Sequence, residues 1–268
     1  MPADFWGRIV FIWEQRYMSF IQGAGVTMAI ALVGTLIGCV IGFAVGIVQT
    51  IPREKHDNPV KKGLLWLLKL VLNIYVEVFR GTPMMAQAMF IYFGSLAVFN
   101  IDMSMWFAAF FIVSINTGAY MAETVRGGIL SIDPGQTEGA KAIGMTHFQT
   151  MMNVILPQAL RNIMPQIGNN LIINIKDTCV LSMIGTMELF YATKNVAGAL
   201  YTYFEAFAIA MVIYFIMTFA CSLILRYLER RMDGSDNYDL ATKDTLAHTS
   251  GMFRYSERKE EEACQNKY

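Results

Sequence analysis

Polar side chains recur along one face of an otherwise apolar stretch in the second half of the chain. Their spacing of three or four residues places them together on one side of a helix. They are Asn170, Asn174, Asp177, Thr178 and Ser182. Such groups donate and accept hydrogen bonds, and the carboxylate adds a negative charge, so they can bind a polar solute. The hydroxyls have no nearby base in a nucleophile pattern, so we expect binding here and no catalytic residues.

Asp177 is the residue of this face that most needs an explanation. A charge in the middle of a bilayer is costly, so its carboxylate should meet a polar cavity or a partner. Lys176 is adjacent in sequence and points in a different direction on a helix, so an internal ion pair is not expected. Two roles remain open for Asp177: a place on a substrate pathway with Asn174, or a polar contact between helices.

A second polar face lies earlier in the chain, where Asn116, Tyr120 and Glu123 follow one another at helical intervals. These residues also share one side of a helix, which predicts a second wall for the same pathway. The alternative is ordinary hydrogen bonding between helices, with Glu123 at the cytoplasmic interface.

The composition indicates the class of protein to which these polar faces belong. Of the 268 residues, 55% are hydrophobic and 16% are charged, with a mean hydropathy of +0.41 and a formal net charge of zero. These values are typical of a membrane protein. No basic patch with interleaved aromatic residues indicates a nucleic-acid partner. The histidines form no ligand cluster with cysteines or carboxylates, so neither a metal nor a cofactor is expected in this chain.

Five apolar runs predict an all-α membrane protein with five transmembrane helices. The runs are 21–49, 83–99, 105–122, 167–187 and 206–225. Together they define a transmembrane domain at 21–231. Residues 1–20 precede it as an interfacial amphipathic segment or, alternatively, as a packed amphipathic helix. Residues 232–268 form a polar cytoplasmic tail.

Basic residues give the expected orientation. Lysines and arginines at 53–62 and 226–231 place both segments in the cytoplasm, with the N-terminus outside. The apolar stretch 64–99 exceeds one crossing and is interrupted by residues to which we assign a structural or gating role. They are Glu77, Arg80, Gly81, Thr82 and Pro83, and Glu123 is assigned the same role. Glu77 and Arg80 are expected to form a charged pair at the cytoplasmic face, and the alternative is a helix broken inside the bilayer.

The segment 133–157 has the signals of two short helices separated by a turn. Asp133 and Thr146 are each suited to cap a helix start, Gly144 is suited to end the first helix, and Pro157 is expected to close the second. The apolar side chains between the caps exceed what a connector needs, so a partner could bury them. The alternative is an amphipathic linker that rests on the bilayer surface.

A spaced signature within this segment resembles the EAA motif of bacterial ATP-binding-cassette (ABC) importer permeases. Its residues are Glu138, Gly139, Ala140, Gly144, Leu156 and Pro157. In that family the motif docks on the ATP-binding subunit and couples ATP hydrolysis to opening of the pathway, so the resemblance implies that 133–157 is a cytoplasmic coupling segment and that these six residues serve ATPase coupling. Gly139 stands where that family usually has alanine, and Val154 stands where it usually has isoleucine. The stretch YVEVFRGTPMMAQAMFIYFG at 75–94 is similar to the polar amino acid branch of the same family, as are NTGAYMAETVRGGI and NIKDTCVLSMIG on either side of the motif.

The resemblance implies a type I ABC importer transmembrane domain in the bacterial cell membrane. Its expected partners are two ATP-binding subunits, a second permease copy or sister permease, an external solute-binding protein, the amino acid substrate and membrane lipid. No GxxxxGK[ST] loop occurs in the sequence, so ATP would be bound by the partner and this chain would not be an enzyme. The alternatives are an autonomous secondary transporter or channel that uses Asp177 for ion coupling, and a scaffold that anchors an ATPase.

Overall fold

The computed structural model describes residues 2, 4–52 and 58–232. The expected polar tail lies outside the described residues, apart from its first residue. Within the described ranges the chain is helical and contains no strand, so the predicted all-α class is confirmed. The α-helices are α1 (Phe5–Thr50), α2 (Pro59–Gly81), α3 (Met84–Phe99), α4 (Met105–Leu130), α5 (Pro134–Ala142), α6 (His147–Thr150), α7 (Leu156–Asp177), α8 (Leu189–Leu200) and α9 (Tyr203–Met232). Residues 1–226 form one compact unit, which contains every site discussed below.

The first helix is continuous from its N-cap to its last turn. Asp4 caps it by accepting a hydrogen bond from the Gly7 backbone N–H at 2.7 Å. Residues 5–20 are therefore part of the same helix as the first apolar run. Ile12 and Phe20 are fully buried and belong to one apolar cluster with Leu189 of α8. One face of the early turns of α1 is thus packed, while Trp6 and Val10 on these turns are exposed, so the interfacial segment and the packed amphipathic helix both stay predictions.

A row of glycines lets α1 lie directly against α4. A methyl group at Gly34 would lie 2.5 Å from a Val113 side-chain carbon, and one at Gly42 would lie 2.3 Å from Cβ of Met121. Real Cβ atoms do not approach so closely, so any larger residue would push the helices apart. Contact between small residues on α1 and the middle of α4 consequently sets the position of α4.

Three helices of the described chain are long and apolar enough to cross a membrane, namely α1, α4 and Tyr203–Arg231 of α9. The apolar α3 is shorter, and the count of five spans stays a prediction. The expected span 167–187 differs from a continuous helix, because α7 ends at Asp177 and a 3-10 segment follows at Thr178–Ile184. Gly185, with φ of 89°, ends that segment in the left-handed region that favours glycine.

Candidate functional site

The break between α2 and α3 is held by the side chain of Gln87. In an unbroken helix the carbonyl of Phe79 would accept from the N–H of residue 83, but Pro83 has none. Gln87 Nε2 instead donates to the Phe79 carbonyl at 2.8 Å and to the Thr82 carbonyl at 2.9 Å. Gln87 is itself buried. A side-chain amide thus satisfies backbone groups that the break leaves free, and the predicted interruption is a defined structure.

Asn116 of α4 connects to this break. Its Nδ2 donates to Gln87 Oε1 at 2.9 Å and to the Phe79 carbonyl at 3.3 Å. Asn116 is buried, so these bonds form away from bulk solvent, where an unpaired amide would be costly. The middle of α4 is consequently tied to the start of α3 through two amides.

Asn174 of α7 forms a second set of hydrogen bonds between helices. Its Nδ2 donates to Thr35 Oγ1 of α1 at 2.7 Å and to Thr117 Oγ1 of α4 at 2.9 Å. Both amide hydrogens are therefore engaged within the protein. Asn174 joins three helices beside the space that the predicted pathway would occupy.

The two predicted polar faces meet at one cavity of about 260 Å³. Asn116 and Tyr120 of α4 line one side, Asn174 and Asp177 of α7 line another, and the helix break at Thr82 supplies a third. The remaining lining residues are Pro83, Met84, Thr117, Asn170 and Ile173. The structure therefore brings together four of the six residues proposed for the pathway, and the helix break joins them. An open space of this size with amide, phenol and carboxylate groups can accommodate a small polar molecule.

Thr178 and Ser182 are the two proposed pathway residues that do not line this cavity. Thr178 is fully buried and its hydroxyl donates to the Ile175 carbonyl at 3.0 Å. The helical face that was expected to continue past Asp177 changes direction there, because the chain winds into a 3-10 helix at Thr178.

Asp177 lies exposed at the edge of the cavity. Among the described residues it has neither a hydrogen-bond partner nor an ion-pair partner, and Lys176 forms no bridge with it. The carboxylate is therefore available to a molecule that enters the cavity or to a partner chain that covers it.

The expected pair of Glu77 and Arg80 is not formed. Arg80 instead reaches α4, where its Nη1 lies 3.8 Å from Glu123 Oε2, and Glu123 also bonds Arg126. The Arg80 guanidinium lies 5.9 Å from the ring centre of Tyr120. The side chain of Arg80 thus turns toward α4 and the cavity-lining tyrosine, because a carboxylate and an aromatic ring are both available there.

The segment 133–157 begins as its caps predict. Asp133 accepts from the Gly135 N–H at 2.7 Å, and Thr146 and Gln149 form a reciprocal capping box. Gly144 separates α5 from α6 with φ of 84°. The predicted helix, glycine turn and second helix are all present.

Pro157 does not close the second helix. The chain passes from α6 through a π-helical turn at Met151–Ile155 directly into α7, with Pro157 in its first turn. Proline has no N–H and crowds the preceding turn of a regular helix, and the wider π turn accommodates both features. The segment 133–157 therefore continues without a loop into α7, the helix that contains Asn174 and Asp177.

The segment 133–157 has one exposed side and one packed side. Ile143 and Phe148 are 80% and 72% exposed, and Glu138 is also exposed. Leu156 and Ala140 are buried, and Leu156 packs with Met121 of α4 in one apolar cluster. Beyond the adjoining backbone, a Cβ added at Gly139 or Gly144 would meet no atom of the described chain within 4 Å. The exposed apolar pair is suited to contact a partner, while Leu156 connects the segment to α4.

Sequence patterns did not indicate the roles of Gln87 or Glu188. Gln87 is a lone amide in an apolar helix, and its position four residues after Pro83 is the signal that could have identified it. Glu188 is fully buried and caps α8, accepting from the Phe190 and Tyr191 backbone N–H groups at 2.8 and 2.7 Å. Glu188 directly follows the predicted span 167–187, and nothing in the surrounding sequence marks it as buried.

Comparison with known families gives a match over residues 63–234 to the binding-protein-dependent transport system inner membrane component. The glutamine transport system permease protein GlnP of Escherichia coli strain K12 is 38% identical over 213 residues, which are 79% of this chain and 92% of that protein. A putative glutamine permease of Rickettsia typhi is 34% identical over 228 residues, which are 85% of this chain and 95% of that protein.

Solved structures show the same arrangement of helices. An amino acid ABC transporter described with histidines superposes with a TM-score of 0.72 at 34% identity, covering 86% of this chain and all of that one. An inward-facing MetNI methionine ABC transporter superposes with a TM-score of 0.67 at 20% identity, covering 82% of this chain and 98% of that one, which supports the fold alone.

Proposed function

The chain belongs to the family of binding-protein-dependent transport system inner membrane components, and from this premise we propose that it forms the membrane pathway for a polar amino acid. It is the permease subunit of an ABC importer, and its helices are those of a multi-pass membrane protein. Glutamine is the first substrate to test, because two relatives above 30% identity are described as glutamine permeases.

The observation that supports a pathway through this subunit is the cavity shared by Asn116, Tyr120 and Asp177. The Asp177 carboxylate can accept hydrogen bonds from the ammonium group of an amino acid. The phenol of Tyr120 can bond the carboxylate or a side-chain amide. Asn116 and Asn174 use their amide hydrogens within the protein, so we assign them the role of holding the walls in position.

ATP hydrolysis is assigned to a separate subunit, present in two copies, that contacts Ile143 and Phe148. A second permease copy or a sister permease would complete the pathway, and an external binding protein would deliver the substrate. The nucleotide-bound ATPase must contact one state of the permease better than the other, since equal binding would shift no population. Leu156 and Met121 pack the coupling segment against α4. A movement of this segment on ATPase binding would therefore be transmitted to α4 and to the cavity that α4 lines.

The proposed orientation places the coupling segment in the cytoplasm and the start of α1 outside. The basic residues Arg226, Arg230 and Arg231 at the end of α9 support this orientation through the preference of positive charge for the cytoplasmic side. The C-terminus would then also be cytoplasmic.

The test is uptake into proteoliposomes that contain the permease, its ATPase and its binding protein. Labelled glutamine should accumulate only when ATP is supplied on the side of the coupling segment. Asp177→Asn should weaken uptake by about tenfold, which corresponds to about 1.4 kcal/mol for the loss of a charged contact. Lys176→Gln is the matched control, because this exposed neighbour of Asp177 does not line the cavity.

Two results would contradict the proposal. Uptake driven by a pH gradient without ATP would favour a secondary transporter in which Asp177 couples to protons. Equal uptake by the wild type and Asp177→Asn would remove Asp177 from the pathway while leaving the ATP dependence intact.

A further inference from the structure

A second cavity lies between the early turns of α1 and the face of α8. It has a volume of about 360 Å³, within the range of small-molecule sites, and it is separate from the cavity at Asp177. Arg16, Ser19 and Gln22 line it from α1, at successive intervals of three residues. Tyr191 and Asn195 line it from α8, one helical turn apart.

The five polar side chains that line this cavity have no internal partners. Within the described part of the chain, none of them donates or accepts a side-chain hydrogen bond, and Arg16 forms no ion pair. The arginine of the same helix nearer its start, Arg8, is by contrast paired with Glu205 at 3.0 Å. One guanidinium, two amides and two hydroxyls that converge without partners make a donor-rich site for an anion.

The surroundings of Arg16 indicate where that anion comes from. Trp13 and Tyr17 are exposed on the same helix, and aromatic side chains of this kind are enriched at the level of lipid headgroups. Met18 lies one helical turn before the cavity-lining Gln22 and is also exposed, so apolar surface adjoins the cavity on α1. Met187, which lines the cavity itself, is 62% exposed and adds an apolar edge. Donors for an anionic group therefore lie beside a surface that suits acyl chains.

We propose that this cavity binds the phosphate of an anionic phospholipid, with Arg16 as the charged contact. Ser19, Gln22, Tyr191 and Asn195 supply the neutral donors to the phosphodiester oxygens and to the headgroup. The chains of the lipid extend along the exposed apolar residues of α1. Bound lipid would bridge α1 and α8, two helices that already contact each other through the apolar pair Phe20 and Leu189 and through a hydrogen bond from the Leu189 N–H to Thr27 Oγ1 at 3.1 Å.

The test uses the purified permease–ATPase complex after lipid is stripped by detergent, titrated with phosphatidylglycerol and followed by native mass spectrometry. Arg16→Gln should weaken binding of the tightest lipid by about tenfold. Ala199→Phe retains the charge and fills the cavity from the α8 side, and it should weaken binding comparably. Lys194→Gln is the matched control, because this exposed cation of α8 does not line the cavity.

Soluble competitors identify the source of the phosphate. Glycerol 3-phosphate, which has no acyl chains, should compete weakly, and the transported amino acid should not compete. Equal competition by glycerol 3-phosphate would overturn the lipid assignment in favour of a free phosphate ester, and competition by the amino acid would make the cavity a substrate site. Unchanged lipid binding in both Arg16→Gln and Ala199→Phe, or an equal loss in Lys194→Gln, would also overturn it.

Discussion

Gln87 Nε2 lies 2.8 Å from the carbonyl oxygen of Phe79, where the N–H of residue 83 would stand in an unbroken helix. The interruption at Pro83 is thus compensated by a side chain from the next helix. Because Gln87 also accepts a bond from Asn116, the compensation extends to α4 and to the wall of the cavity. The same two amides, of Gln87 and Asn116, thus bond the helix break and join it to the cavity wall.

Replacing Gln87 with leucine should destabilise the permease by about 1–3 kcal/mol, since the Phe79 and Thr82 carbonyls would lose a donor and the buried Asn116 amide would lose one of its two acceptors. Thermal unfolding of the purified complex measures the change. Gln15→Leu is the matched control, because Gln15 is exposed on α1. Equal stability of Gln87→Leu and Gln15→Leu would show that the break needs no side-chain partner.

Gly144 and Gly139 should respond differently to the same substitution. Both have open space for a methyl group, but only Gly144 has a positive φ, of 84°. Gly144→Ala should therefore cost about 1 kcal/mol and reduce the amount of ATPase that co-purifies. Gly139→Ala should retain the ATPase, because alanine fits the helix there. Retention by both variants would contradict the proposal that the turn presents α5 and α6 to the ATPase.

Gly42→Ala should separate α1 from α4. The added methyl would lie 2.3 Å from Met121 Cβ, so the helices must shift, at a cost of about 1–3 kcal/mol. Gly25→Ala is the control on the same helix, where the added methyl would meet no atom within 4 Å beyond the adjoining backbone of α1. It should be neutral or stabilising by up to about 1 kcal/mol, as expected from helix propensity. Unfolding temperatures that decrease equally in both variants would exclude close packing at Gly42 as the cause.

Local sequence signals predicted the features that depend on local chemistry. Asp133, Gly144 and Thr146 have the conformations that their cap and turn preferences indicate, because those preferences act within three or four residues. The polar faces of α4 and α7 were also predictable, since a helix alone determines which residues share a side.

Features that depend on distant partners could not be predicted in this way. Arg80 has Glu77 one turn away in sequence, yet it contacts Glu123, which only the packing of α2 on α4 brings near. Pro157 is a helix terminator in isolation, but a π turn before it lets the helix continue. The change from α-helical to 3-10 winding at Thr178, beyond which Ser182 does not line the cavity, likewise has no local breaker before Gly185.

Arg80→Gln should change stability by less than about 1 kcal/mol. The side chains of Arg80 and Glu123 are 37% and 34% exposed, so water competes for both charges, and Glu123 retains Arg126. Arg126→Gln is the comparison, because it removes the closer of the two arginines and should have the larger effect. Thermal unfolding at low and high salt measures the electrostatic part of the stability loss in each variant, since salt screening should reduce both losses. A salt-independent loss greater than about 2 kcal/mol in Arg80→Gln would instead indicate that its packing on Tyr120, at 5.9 Å, dominates.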